Sequence, residues 1–334
     1  MPRLRHPAVR ALAFAVLSLC ACVLAAQDGR IRSRVELVLV PVTVKGPNGN
    51  LAAGLSKDAF TIREAGKVQA ITSFSIDPVP LSVAILLDTA VTETALTRIK
   101  SSFPALLGAF ADDDEIAVYL FEKATEKVVD FTADHARISA VVEKLNRTTS
   151  PSLTTGGGPF SFPGPVINGA PIIPGVQSAG RTTAAPTKLL HDSMFQAAED
   201  LAARDIDRRR IVILISDGQN HGSLHSYDTA LERLLTYEVQ VFSMGVDTSV
   251  FQRLRSSLAS YAKDTGGNAW FPESQADLES CYSVSTDSAR NQYVLGYISS
   301  NKRPADKPVF REIKVQAMLK NAEVRHKRGY YQAP

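Results

Sequence analysis

The chain has 334 residues, of which 45% are hydrophobic, 21% charged and 7% aromatic, a globular balance with length enough for one large core or two modest ones. That composition excludes a wholly disordered chain, a collagen and a disulfide-rich scaffold, because three cysteines cannot build a disulfide framework. The 37 basic and 34 acidic residues are spread along the chain to a net charge of +3, so no concentrated basic face exists and nucleic acid is not an expected partner.

The first element is a leader. Arg3, Arg5 and Arg10 precede an uncharged apolar run from Ala11 to Ala26, after which Gln27 and Asp28 restore polarity; this is the layout of a secretory signal over residues 1–26. The run is short for a membrane span. Two processing routes fit: cleavage behind the small residues Ala25 and Ala26, which is the preferred one, or lipid attachment at Cys22, because Leu19-Cys20-Ala21-Cys22 resembles a bacterial lipobox. Either route predicts an exported protein, periplasmic or extracellular, with membrane attachment only if Cys22 is lipidated. Cys281, the thiol that remains after simple cleavage, is expected to be buried and inert.

Residues 27–79 read as a β segment. Val35 to Val44 is a strand dense in β-branched residues that tolerates Pro41 only at an edge or bulge. Leu37 and Leu39 point one way while Val38, Val40 and Val42 point the other, so both faces are expected to find cover. A turn at Gly46 to Asn50 leads to a strand from Phe60 to Glu64, a hairpin turn at Ala65-Gly66-Lys67, and a strand from Val68 to Phe74. So few strands cannot close a core alone.

From residue 80 to 290 the pattern changes to alternating strand and helix, which predicts a mostly parallel sheet covered by helices. Leu81 to Leu87 is an apolar strand. Thr94 to Phe110 has helical spacing of Leu96, Ile99, Phe103, Leu106 and Leu107, with Pro104 expected to kink or split it. Ile116 to Phe121 and Lys127 to Phe131 are strands, and Asp134 caps a helix running to Leu145. Residues 147–186, rich in Thr, Ser, Gly and Pro, read as a long flexible loop. Then come a helix from Lys188 to Ala203, a strand from Ile211 to Ile215, a helix from Thr229 to Leu235, and a strand from Val239 to Met244. Phe251 to Ala262, Ala269 to Phe271 and Leu278 to Ala289 continue as helix, strand and helix. Residues 291–334 return to strand composition at Tyr293 to Ile298, Val309 to Met318 and Val324 to Tyr331. The fold class is therefore α/β, with a small β-sandwich-like domain assembled from the N- and C-terminal segments.

In an open parallel sheet, ligands sit beyond the carboxyl ends of the strands near a switch point. Two predicted strand ends there are acidic, Asp88 and Asp217. Carboxylates brought together repel unless a cation joins them, and hydroxyls such as those of Thr92 and Thr187 complete a hard-oxygen shell suited to Mg²⁺ or Mn²⁺.

Asp88-Thr89-Ala90-Val91-Thr92, then Thr187 ahead of Leu189-Leu190-His191-Asp192, then Ser216-Asp217-Gly218 resemble the von Willebrand factor type A family. Its metal-ion-dependent adhesion site is Asp-x-Ser-x-Ser after the first strand, a Thr from a later loop and an Asp after the fourth strand. The resemblance covers roughly Pro80 to Ala289. The flanks, including Val38-Leu39-Val40-Pro41-Val42, Asp58-Ala59-Phe60, Tyr293-Val294-Leu295-Gly296-Tyr297 and Arg328-Gly329-Tyr330-Tyr331, are similar to a bacterial secreted subgroup. The resemblance implies a doubly wound sheet with helices on both faces, and a metal site of Asp88, Thr92, Thr187 and Asp217. It also implies a protein partner whose carboxylate completes the metal shell. Ala90 stands where the family has a serine, so that site is degenerate, and its metal is expected to bind weakly.

Other motifs carry less. His221 and His225 have a zinc spacing only if helical, and Gly222 and Ser223 argue for a loop. His191 beside Asp192 reads as a packed histidine. Asp112-Asp113-Asp114-Glu115 reads as a solvated acidic turn, Arg208-Arg209-Arg210 as solvated strand flanks, and Trp270 with Phe271 as core. No hydrolase elbow, phosphate loop or dinucleotide fingerprint appears. The expectation is an exported protein that binds another protein and is not an enzyme. A metal-assisted hydrolase and a scaffold without metal are the alternatives.

Overall fold

The computed structural model describes residues 37–147, 166–167, 170–171, 187–247 and 252–334. The expected leader, its expected cleavage and lipidation positions, and all of residues 148–186 except the short antiparallel pair β8 (Val166–Ile167) and β9 (Ala170–Pro171) lie outside the described residues.

The centre of the molecule is a six-stranded sheet. In chain order its strands are β5 (Leu81–Asp88), β6 (Glu115–Phe121), β7 (Thr125–Thr132), β10 (Arg209–Ser216), β11 (Gln240–Gly245) and β12 (Ala269–Trp270). In space they run β12-β11-β10-β5-β6-β7, all parallel except the edge strand β7. Every residue of β5 and of β11 is buried, as expected of strands covered on both faces. Helices α1 (Glu93–Gly108), α2 (His135–Ser139), α3 (Val141–Arg147) and α7 (Gln275–Arg290) cover one face, where Ile99, Phe103, Leu145 and Tyr282 join a cluster with Val83, Ile85 and Ile213. Helices α4 (Leu190–Ala202), α5 (Tyr227–Thr236) and α6 (Gln252–Thr265) cover the other, where Met194, Leu201, Leu234 and Tyr261 pack on Leu86, Val212 and Leu214. This is a doubly wound α/β fold, and its strand order reverses between β5 and β10.

Two antiparallel sheets from the chain's ends form a sandwich. One is β15 (Glu323–His326), β1 (Leu37–Lys45), β13 (Tyr293–Ile298) and β4 (Ile71–Ser75); the other is β16 (Gly329–Gln332), β14 (Val309–Ala317), β2 (Phe60–Glu64) and β3 (Lys67–Gln69). Val38, Val40, Val42, Ile62, Leu295, Tyr297 and Ile313 fill the space between them. Together with the α/β layers they make one compact unit from Leu37 to Pro334.

Several expectations need correction. The outer face of β1 is uncovered over its first half, where Leu37 and Leu39 are 49% and 37% exposed, while Thr43 further along the same face is buried. Pro41 is tolerated because β15 pairs with β1 only from Val42 onward, so one side of Pro41 faces an open edge. The strand expected from Val68 to Phe74 breaks at Ala70 into β3 and β4, which belong to opposite sheets, and Val324 to Tyr331 breaks likewise into β15 and β16. Pro104 does not interrupt α1, because it lies on the exposed face of a helix pinned by its buried side. The arginine run is not a solvated flank. Arg208 donates to the carbonyls of Leu81 and Asp113, Arg210 to those of Arg204 and Tyr237, and the buried Arg209 to that of Ala289. Nor is the acidic turn wholly solvated: fully buried Asp114 accepts from the Leu81 and Ala111 amides at 2.8 and 2.9 Å and from Arg290 at 2.5 Å.

Candidate functional site at the switch point

β5 and β10 are neighbours in register, with Leu87 opposite Ile215, so the residues that follow meet at one sheet edge. That puts Asp88 and Ser216–Asp217 together at the strand-order reversal. Asp88 is fully buried and Asp217 nearly so. The Ser216 hydroxyl donates to Asp88 Oδ2 at 2.7 Å and in turn accepts from the Gly218 amide at 3.0 Å. The Ala90 amide donates to Asp88 Oδ1 at 2.9 Å. Asp217 accepts from Gln219 twice, from the backbone amide at 2.9 Å and the side-chain amide at 3.0 Å.

Between the two carboxylates sits an ammonium group. Lys188 Nζ lies 2.6 Å from Asp217 Oδ2 and 3.4 Å from Asp88 Oδ2, with its side chain 2% exposed. Its backbone is held from both sides. Lys188 and His221 exchange amide-to-carbonyl bonds of 2.9 Å in each direction, and the Leu189 amide donates to the Glu122 carbonyl at 3.0 Å. The Asp88 carboxyl is pushed up to about 6 in all: burial raises it most, Lys188 offsets part of that rise, and Asp217 adds to it.

Of the four residues expected to hold a metal, Asp88 and Asp217 come together, and the Thr92 hydroxyl is engaged outside that pair. Thr92 caps α1, accepting from the Ala95 amide at 3.3 Å. It donates its hydroxyl to Asp247 Oδ2 at 2.5 Å, and its amide reaches the same oxygen at 3.0 Å. Thr187 is half-buried, with its methyl directed toward Gly222. The residues present do not fit a divalent cation. Ala90 offers no oxygen, the Thr92 hydroxyl is engaged elsewhere, and the space between the carboxylates holds a positive charge. Among the described residues no group of three or more His, Cys, Asp or Glu is arranged for a metal. Sequence reasoning missed Lys188, Ser216 and Asp247. Lys188 follows Thr187 directly, and its position at the start of an apolar helical run was the available signal, because a solvated lysine belongs on the other face.

The remaining candidates are structural. His191 Nδ1 is 2.9 Å from the Tyr261 hydroxyl, and burial holds its pKa below the usual histidine value. His225 stacks on Phe195 with centroids 3.9 Å apart and meets Asp192 Oδ1 at 2.7 Å through Nδ1. Asp192 also takes the Leu224 and His225 amides, so it fastens the loop after β10 to α4. The Cys281 thiol is buried and pushed up to about 11 by burial first and Asp277 second, which makes it a poor nucleophile.

A doubly wound sheet with paired acidic strand ends at its switch point is the arrangement that the resemblance to the von Willebrand factor type A family implies. Solved structures similar to this chain include a von Willebrand factor type A protein from Catenulispora acidiphila, 11% identical over 91% of this chain and 76% of that one, with a TM-score of 0.43. They also include the manganese-loaded TRAP protein of Plasmodium vivax, 11% identical over 81% and 98%, TM-score 0.43. A third is an aerotolerance-related membrane protein from Bacteroides fragilis, 14% identical over 62% and 98%, TM-score 0.42. The fold assignment stands on strand order and register. No family model matches the chain, and no curated relative matches it. Among the described residues, no helix is long and apolar enough to cross a membrane.

Proposed function

We propose that this chain is an exported protein that binds another protein through the carboxyl edge of its six-stranded sheet, and that it is not an enzyme. The observation that carries this reading is the convergence of charge at that edge. Beside the Asp88–Lys188–Asp217 cluster lies an open cleft of about 360 Å³ lined by Arg98, Asp247, Arg255, Phe271 and Glu273. Arg255 stacks over the Phe271 ring at 4.9 Å, which pre-orients its guanidinium for a planar partner group. A partner carboxylate is the fitting ligand, received by Arg98 and Arg255. Fixed charges of both signs at a rim favour selective protein docking over chemistry on a small substrate. The leader supports export, and the engagement of His191 and His225 in packing supports binding over hydrolysis. Adhesion is the role that suits such a face.

The test is photo-crosslinking from position 273 in the cell envelope of the native host, compared with a crosslinker at Lys320 on the sandwich. A discrete adduct at 273 alone, lost in Arg98→Glu/Arg255→Glu, is the expected result. Adducts from both positions, or an adduct indifferent to the arginines, would remove the sheet edge from consideration. Hydrolysis of a substrate panel that disappears in Asp217→Asn would favour the metal-assisted hydrolase instead.

A further inference from the structure

We propose that Lys188 is this protein's own cation at the carboxylate pair, covalently tethered, and that it closes the site to Mg²⁺ and Mn²⁺. The inference goes beyond partner binding and does not rest on it.

Three observations carry it. The first is occupancy of the acceptors. All four carboxylate oxygens are already in use: Asp88 Oδ1 by the Ala90 amide, Asp88 Oδ2 by Ser216 and Lys188, Asp217 Oδ1 by the Gln219 amide, and Asp217 Oδ2 by Lys188 and the Gln219 side chain. Mg²⁺ demands near-octahedral oxygens at about 2.0–2.1 Å, and these oxygens face several different donors. The second is the way the lysine is held. The reciprocal backbone bonds with His221 and the bond from Leu189 to Glu122 fix the residue on both sides of the chain. The ammonium is therefore delivered to the pair by the fold and is not a surface side chain that folded inward.

The third is electrostatic. A buried carboxylate pair requires compensation, and one ammonium with a hydroxyl and three amide donors supplies it within the chain. Admitting a divalent ion would set it against the ammonium at close range in a poorly screened interior, or would require Lys188 to leave a buried position. The neutral oxygens that would favour the ion are missing at Ala90 and diverted at Thr92. The substitution of a tethered cation for a dissociable one makes the sheet edge indifferent to chelators.

The test uses the full chain and Mn²⁺ as probe, with thermal unfolding in EDTA and in excess Mn²⁺. The wild-type midpoint is expected to be the same in both. Lys188→Met, which keeps most of the aliphatic stem, should melt lower in EDTA and rise by several degrees in Mn²⁺, and Lys188→Met/Asp217→Asn should lose that rise. A wild-type midpoint that rises in Mn²⁺ and fails to rise in Asp217→Asn would overturn the proposal, as would a folded Lys188→Met that gains no Mn²⁺ response. Should Lys188→Met not fold, calorimetric titration of the wild type with Mn²⁺ decides: no binding supports the tethered cation, and binding abolished by Asp217→Asn refutes it.

Discussion

At the scale of single residues, this molecule repeatedly places charge where charge is costly and then matches it. Asp114 is the clearest case outside the switch point, joining the start of β5, the end of α1 and the guanidinium of Arg290 on α7. Removing Asp114 leaves two backbone amides without their acceptor and the partly exposed Arg290 without its partner, at a cost of about 1–3 kcal/mol. Asp114→Ala is expected to lose about that much stability in urea unfolding, whereas Asp112→Ala, at an exposed position, should change it by less than about 0.5 kcal/mol. The two residues sit in one acidic run and look alike in sequence. What separates them is a long-range partner, Arg290, which no local pattern reveals. The same holds at the site. Asp88 and Asp217 were legible because acidic residues that end apolar strands are rare and positional. Lys188 was marked only by its place at the start of an apolar helical run, since the usual reading of a lysine is a solvated surface group, and the meeting of two distant strand ends is what gives it its role.

A second prediction at this scale concerns pH. Glu64 is fully buried between the sandwich sheets. Burial alone would raise its pKa, but bonds from Ser299, Asn301, Tyr297 and Tyr330 outweigh that and hold it below 4.5. The native state therefore binds this proton less readily than the unfolded chain. The stabilisation is present above about pH 4.5 and is lost as pH falls through the depressed native value. Glu64→Gln should flatten this acid limb in pH-dependent unfolding and lower stability at neutral pH by about 2 kcal/mol, the scale of a hydrogen bond to a charged group. An unchanged acid limb would assign the dependence elsewhere.

At the scale of elements, caps and close approaches decide more than helical or strand propensity. Thr92 ends the loop after β5 and starts α1, and its bond to Asp247 ties that start to the end of β11. Thr92→Ala should cost about 1 kcal/mol as a lost helix cap, read by chemical denaturation. Thr92→Ser should retain most of it. Gly267 lies where α6 passes back to β12, and a Cβ there would stand 2.0 Å from the Val241 carbonyl oxygen. Backbone must move to admit it, so Gly267→Ala is expected to destabilise by about 3 kcal/mol, the upper end of the usual cost of overpacking, while Gly108→Ala, with open space around it, should be neutral or mildly stabilising. Element types were largely readable because apolar periodicity reports which side of an element is buried. Among the strands, the failures came where one strand-like run serves two sheets, at Ala70 and at Lys327–Arg328, because composition cannot say which partner each half finds; the helix expected from Asp134 to Leu145 likewise breaks at Ala140 into α2 and α3.

At the scale of the whole molecule, the sandwich and the α/β layers are fastened at several points. Lys327 pairs with Glu238 at 2.6 Å, Arg328 with Asp264 at 3.2 Å, and Gln292 donates to Thr43 at 2.9 Å beside the junction. Phe310 and Tyr331 of the sandwich also pack on the apolar cluster under α5. These ties, and a sandwich whose strands come from both ends of the chain, predict one cooperative transition in calorimetry. Two resolved transitions would mean that the fastenings are too weak to couple the layers. The interleaving was visible in the sequence only as two outlying β segments in need of partners.

The α/β layers leave and re-enter the sandwich through β4 and β13, which are themselves paired, Ser75 opposite Val294. Topologically those two strands are a hairpin whose turn has been replaced by an entire domain. The exit and the entry are one strand spacing apart, about 4.8 Å, so the sandwich makes the same demand on whatever joins them as it would on a tight turn. Such a mount is modular: a short loop, or a different insert with adjacent ends, could occupy the same position without altering the register of the strands that carry it.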